Sequence, residues 1–333
     1  MSFPRTSTPA QTNGVDVSAE RFDRRAFLRR SAAAAAAVVG AGTAIAAASC
    51  SSDPPAFCGL GAAGDIAALE SAIGQRLRYQ RIYHQEELFP GQDERAAWQA
   101  GRIPVVSFKT LSPDGSAMPF ADVAAGAADI ELRRLAASIR PMGDRPMILL
   151  YFPEPEDDVG ERPQDFAPAF RRVRQMMVGL GAGVRWGHTL SHGTYDHGDG
   201  ELYYPGDDYV DVIACDGYNW CPSAGHGSTK LSFDRMFTAT NHFAERKRKH
   251  WYATEVGAWD DPAPGWGKAA WIAAMGRAAK RWPSLRGIMW FDHDVAEGFL
   301  CDWKLADTPQ AVDAFARLAR DPYFTRSAPS TNE

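Results

Sequence analysis

The chain has 333 residues, with 36 Lys and Arg against 41 Asp and Glu, a formal net charge of −5, and 45% hydrophobic residues. That length suits one large domain and exceeds a small stapled module. An acidic balance argues against nucleic acid or anionic lipid as the partner.

In chain order, the first fifty residues do not read as part of a fold. Arg24-Arg25-Ala26-Phe27-Leu28 precedes a run from Ala32 to Ala48 that is nearly all Ala, Val and Gly. A basic pair, an apolar stretch and small residues at its end make an export signal, and the twin arginines resemble the Tat type. The alternative, a permanent membrane helix, is disfavoured because the run is short for a bilayer and Ala-rich. Ala47-Ala48-Ser49-Cys50 admits two outcomes, lipidation of Cys50 or an ordinary cleavage site near a cysteine. The expected organisation is a signal at residues 1–50, a catalytic barrel over 51–324 and a disordered tail at 325–333. Removing the first 49 residues takes away six Arg and three acids, leaving 284 residues at a net charge of about −8. The product is expected as a monomer, extracellular or attached to the outer face of the cell membrane.

The body contains eight short apolar runs: residues 57–61, 79–84, 104–109, 147–154, 184–190, 210–218, 251–257 and 287–293. Helical stretches lie between most of them, including 66–77, a segment capped by Asp165, 233–248 and 269–282. Phe166, Phe170, Val173 and Met177 share one helical face. Eight strand–helix units predict a (β/α)8 TIM barrel of the α/β class. An open doubly wound sheet is the rival, but no Gly-rich fingerprint follows any strand.

A barrel places its active site at the C-terminal strand ends. Those ends carry His84, Lys109, Glu154, His188, Asp216 with Tyr218, Glu255, and Trp290 with Asp292. Glu154 closes run four and Glu255 closes run seven, positions that face each other across a barrel mouth. Hydrolysis of a glycosidic bond needs one carboxylic acid to protonate the leaving oxygen and a second carboxylate at the anomeric carbon. Each glutamate also has an ordinary reading. Glu154 lies in an acidic loop, and Glu255 could be a surface charge, although a strand tail is a poor place for one.

Several pieces, in order, resemble a known family: Pro153-Glu154-Pro155-Glu156-Asp157, Tyr204-Pro205-Gly206-Asp207, Val210-Asp211-Val212, Asp216-Gly217-Tyr218-Asn219-Trp220, Thr254-Glu255-Val256-Gly257, Met289-Trp290-Phe291-Asp292 and Asp302-Trp303-Lys304-Leu305. Together they are similar to glycoside hydrolase family 26, particularly its bacterial family 26-like members, from about Phe57 to Leu318. The resemblance implies a retaining, β-mannanase-like glycosidase acting on mannan or a related β-linked glycan. It makes Glu154 the acid/base and Glu255 the nucleophile, sets Tyr218 beside Glu255, and puts Trp290 under the sugar. The family usually has His before the strand-four Glu, whereas this chain has Pro153. That leaves Glu156 open as an alternative acid and a catalytically impaired glycan-binding barrel open as an alternative function. Pro153 also biases Phe152 towards an extended backbone, and Lys109 or His188 is expected to fill the space of the missing imidazole.

Other residues are weighed on their own chemistry. Trp220, Trp259 and Trp266 follow runs six and seven among Gly, Pro and Asp, and at least two of them, with Trp220 and Trp259 assigned, are expected to line a sugar groove. His188, His192, His197, Asp196 and Asp199 could suggest a metal-dependent hydrolase, but no spacing matches a known ligand set. No metal and no cofactor are therefore assigned. The run 246–249 is a solvated helix end. Cysteine placement predicts bridges Cys58–Cys301 and Cys215–Cys221.

Overall fold

The computed structural model describes residues 57–84, 88–157, 162–224 and 230–325. The export signal, the proposed lipidation site and the tail beyond Thr325 lie outside the described residues. Thr325 itself closes a short helix. No helix among the described residues is long and apolar enough to cross a membrane.

Eight strands, β1 (Gly59–Gly64), β2 (Tyr79–Tyr83), β3 (Ile103–Phe108), β4 (Ile148–Tyr151), β5 (Arg185–Ser191), β6 (Val212–Asn219), β7 (Trp251–Ala258) and β8 (Leu285–Asp292), form a closed barrel in sequence order. All neighbours are parallel, and β1 pairs with β8 to close the ring. The helices are α1 (Ile66–Ile73), α2 (Gln92–Gln99), α3 (Phe120–Ala125), α4 (Asp129–Ile139), α5 (Pro163–Gly179), α6 (His192–His197), α7 (Gly200–Tyr203), α8 (Phe233–Lys247), α9 (Lys268–Ala279), α10 (Pro309–Arg320) and α11 (Pro322–Thr325). The predicted (β/α)8 barrel is the observed fold. Helix α5 starts at Pro163 rather than at an Asp165 cap, with Asp165 inside the first turn and paired to Arg162. Proline suits that position because its missing N–H is unpaired there anyway.

Side chains alternate between two cores along each strand, as a period of two requires. The inner floor consists of Tyr79, Val105, Ile148, Leu150, Val212, Ala214, Tyr252 and Met289. Tyr79 and Tyr252 meet edge to face with centroids 5.6 Å apart. Their rings are accommodated because β1 and β8 present glycines: a Cβ on Gly59 would sit 2.5 Å from the Tyr79 ring, and one on Gly287 2.6 Å from the Tyr252 ring. The larger outer core lies between strands and helices and includes Trp186, Phe166, Phe170, Trp251 and Trp290. α1 shows local control of an element: Asp65 caps its start by accepting from Ala68 N at 3.0 Å, and Gly74 ends it in the left-handed region.

The cysteines pair differently from the expectation. Cys221 and Cys301 form a disulfide with Cα atoms 5.7 Å apart, while Cys58 and Cys215 are free and buried. Cys58 precedes β1, where its N–H donates to Tyr323 O, and Cys301 follows β8. Because β1 and β8 run parallel, those two positions lie at opposite ends of the barrel. Cys215 points into the outer core, with Thr240 Oγ1 3.2 Å from its sulfur. The observed bridge instead ties the β6 loop to the β8 loop, both at the mouth. It spans a sequence separation of 80. In the chain-entropy model, replacing Cys221 and Cys301 with Ala should lower the unfolding free energy by about 4 kcal/mol. Chemical denaturation of that variant measures this, and a midpoint equal to wild type would contradict it.

Candidate active site

Glu255 is the centre of the mouth. It sits on β7 and is only 6% exposed, so its charge needs partners. Arg81 on β2 donates to its Oε1 at 2.9 Å, and the Tyr218 hydroxyl on β6 donates to its Oε2. The Arg81 side chain is itself buried inside the barrel, donating to the Ile82 carbonyl and lying 4.3 Å from the centroid of the Tyr83 ring.

A bulge in β7 makes this geometry available. Ala253 pairs with Cys215 and Glu255 pairs with Asp216, so Thr254 is an extra residue on β7. Tyr252 faces the inner floor, and strict alternation would send residue 255 outward to the helices. The extra residue shifts the phase, and bulges beside functional sites re-aim side chains in this way. Thr254 and Glu255 consequently both serve the interior: Thr254 Oγ1 donates to Asp216 Oδ1 at 2.6 Å. Burial pushes the Asp216 carboxyl well above the usual range, and the Glu255 and Glu154 charges push it further. Asp216 thus feels both glutamates.

Glu154 lies just past β4, half-buried, with its N–H donating to Thr189 O at 3.3 Å. Phe152 and Glu154 adopt positive φ values of 49° and 51° on either side of Pro153. The expected extended backbone at Phe152 is therefore not what the chain adopts. Hydrogen bonds to the flanking strands, including Phe152 N to Phe108 O at 2.8 Å, outweigh the preference imposed by the proline. Glu156 turns aside from the mouth, its Oε1 accepting from Ser191 N at 2.6 Å and Thr194 Oγ1 at 2.8 Å.

Two expected sugar contacts belong to the outer core instead. His188 is fully buried among Phe166 and Phe170 of α5 and Tyr204. Its neighbour Thr189 takes the inward position on β5, as alternation dictates. Trp290 is also fully buried, packed on Trp271 and Phe315 with its Nε1 donating to Trp303 O at 2.7 Å. Phe291 is the β8 residue that faces the mouth, 5.5 Å from Tyr218 between ring centroids. Lys109 places its Nζ 3.9 Å from the centroid of the Phe152 ring, the residue before Pro153. His84 is held away by Glu94 and stacked on Phe89. Asp292 is buried and accepts from Leu305 N.

Aromatic residues wall one side of the mouth. Tyr218, Phe291 and Trp303 form a buried cluster, with Trp220, Trp259 and Phe299 partly buried against it. Trp220 lies 5.3 Å from Tyr218 and 5.1 Å from Trp303, directly beside the Cys221–Cys301 bridge. Trp266 is half-buried and does not join this cluster. Among the histidines after β5, Asp196 is engaged by both terminal nitrogens of Arg235. Among the described residues, no group of three or more His, Cys, Asp or Glu is arranged to hold a metal ion.

His188 carries a stability consequence. Burial lowers its pKa from 6.5 to about 3, and neither ring nitrogen has a hydrogen-bond partner. Between those two pH values the unfolded chain binds a proton that the folded chain refuses. Stability should therefore fall as pH drops from 6.5 towards 3, by up to several kcal/mol from this residue. His188→Phe should flatten that part of the pH–stability curve, and an unchanged slope would show that His188 is not the cause.

No protein-family model matches the chain. Endoglucanase H of Acetivibrio thermocellus is 28% identical over 155 residues, covering 46% of this chain and 16% of that protein. The chain thus matches less than a fifth of that curated relative's own length. Among solved structures, GH26C from a Muricauda species superposes with a TM-score of 0.61 at 11% identity, covering 81% of this chain and 87% of that one. A GH26 β-mannanase from Bacteroides ovatus gives 0.60 at 14% identity, covering 81% and 90%. At these identities the likeness is one of fold, and it agrees with the resemblance to glycoside hydrolase family 26 carried by the sequence.

Proposed function

We propose that the chain is a retaining glycoside hydrolase of the family 26 type, exported and acting on a β-linked polysaccharide such as mannan or a related glycan. The observation that carries this reading is Glu255, a buried carboxylate at the end of β7 that accepts from Arg81 on one oxygen and from the Tyr218 hydroxyl on the other. Two such donors favour its ionised, nucleophilic form and fix its direction. Glu154, at the end of β4, provides the second carboxyl. In the first step Glu154 gives its proton to the glycosidic oxygen while Glu255 attacks the anomeric carbon, and the carbon–oxygen bond breaks. In the second, Glu154 takes a proton from water, the water oxygen bonds to the anomeric carbon, and Glu255 departs. Trp220 and Trp259 supply partly exposed rings on which sugar faces can stack, and Lys109 is proposed as a polar contact near the cleaved bond. Export through the twin-arginine signal, and tethering through Cys50 if it is lipidated, would put this activity on polymeric substrate outside the cell.

The test is a polysaccharide panel of mannan, glucomannan and mixed-linkage β-glucan, followed by two variants. Glu255→Gln should abolish turnover of every substrate. Glu154→Gln should lower kcat/KM on polysaccharide by about 10²–10⁴-fold while sparing aryl glycosides whose leaving groups need little protonation. Wild-type rates in both variants would rule out this pair. Binding of a glycan without any turnover would favour the impaired glycan-binding barrel.

A further inference from the structure

Glu156 is positioned as no free surface acid would be. The segment 152–157 leaves β4, crosses towards β5 and carries Glu154 in the left-handed region. That region disfavours residues with a Cβ, which occupy it when the surroundings hold them there. Pro153 and Pro155 are both buried and have no N–H, so this segment has fewer backbone donors with which to hold itself. Its backbone ties are Phe152 N to Phe108 O at 2.8 Å, Glu154 N to Thr189 O at 3.3 Å, and Asp157 N to Glu154 O at 3.1 Å. Past Glu154, the link to the neighbouring strand passes to a side chain. Glu156 Oε1 accepts from the Ser191 N–H at the end of β5 and from the Thr194 hydroxyl on α6.

We infer that Glu156 is the positioning residue for Glu154: by clamping the β4 loop to the β5–α6 junction it holds Glu154 in its left-handed conformation, aimed at the mouth. The inference rests on the acid/base reading of Glu154 proposed above. Burial raises the Glu156 carboxyl, and its hydrogen bonds to Ser191 and Thr194 oppose that rise. The clamp needs only an acceptor oxygen, not a charge, because both partners are donors. A glutamine supplies that oxygen, whereas an alanine does not.

The experiment compares Glu156→Ala, Glu156→Gln and Thr194→Val with wild type in two measurements. The first is amide hydrogen exchange over residues 152–157. Glu156→Ala should speed exchange of this segment at least about tenfold while the barrel strands exchange as in wild type, and Glu156→Gln should restore protection. The second is kcat/KM on polysaccharide and on 2,4-dinitrophenyl β-cellobioside and β-mannobioside. Glu156→Ala should lose about 100-fold on polysaccharide, the scale of a misplaced general acid, with little loss on the aryl glycosides. Glu156→Gln should lie close to wild type on all of them, and Thr194→Val should show a smaller version of the alanine effect in both measurements. Thr194→Val and Glu156→Gln decide the matter if the alanine variant does not fold. Two results overturn the inference: wild-type exchange in Glu156→Ala and Thr194→Val, or a Glu156→Gln variant as inactive on polysaccharide as Glu156→Ala. The latter would make Glu156 the acid itself. A wild-type chain that cleaves none of these substrates would count against the proposed function, and the exchange result would still decide the role of Glu156.

Discussion

One extra residue in β7 governs the mouth of this barrel. Without it Glu255 would point outward among the helices. With it, Glu255 turns inward and brings a charge into a nearly buried place. An ion there persists only if paired and hydrogen-bonded. That requirement accounts for the buried Arg81, an otherwise costly guanidinium within the β2 run, and for the Tyr218 hydroxyl aimed at the second oxygen. Tyr218 in turn is packed against Trp220, Phe291 and Trp303. The Cys221–Cys301 bridge joins the two loops that carry Trp220 and Trp303. Bulge, ion pair, hydroxyl, aromatic wall and disulfide thus form one chain of support for a single carboxylate.

The same alternation that the bulge interrupts in β7 sorts side chains elsewhere. On β5 it puts Thr189 inside and His188 outside, and on β8 it puts Phe291 inside and Trp290 outside. His188 and Trp290 are at strand ends and have sugar-binding side chains, which made them reasonable expectations. Their facing depends on register, and register is not readable from a strand buried on both faces, because polar and apolar residues do not alternate along it. Eight apolar runs with helical stretches between them were enough to predict the barrel. Glu154 and Glu255 were legible because a charge ending an apolar run needs a partner. Arg81 obeys the same logic, although it lies within its run rather than at the end. It is the lone cation of its strand, in Tyr79-Gln80-Arg81-Ile82-Tyr83, two residues after a floor tyrosine and therefore on the inner face.

Loops were less legible than strands. Strand adjacency alone favours a Cys58–Cys301 bridge, but strand direction forbids it: the start of β1 and the end of β8 lie at opposite ends of a parallel barrel. The β4 loop differed from expectation for a related reason. Pro153 constrains Phe152 locally, but contacts with β3 and β5 decide the conformation, and those contacts are between residues distant in sequence. Glu156 stands as the alternative acid in an acidic stretch, less favoured than Glu154 because it lies farther from the strand. Only the positions of Ser191 and Thr194 separate a residue that faces the mouth from one that faces the neighbouring strand.

The central claim is that Glu255 is the nucleophile that bonds to the sugar. Incubation with a 2-deoxy-2-fluoro glycoside bearing a dinitrophenyl leaving group slows the second step and traps any covalent intermediate. Mass spectrometry of the digested protein should then find one added glycosyl group on the peptide containing Glu255, absent from Glu255→Gln. A label on another carboxylate, or rapid leaving-group release with no label and inverted product, would contradict the account.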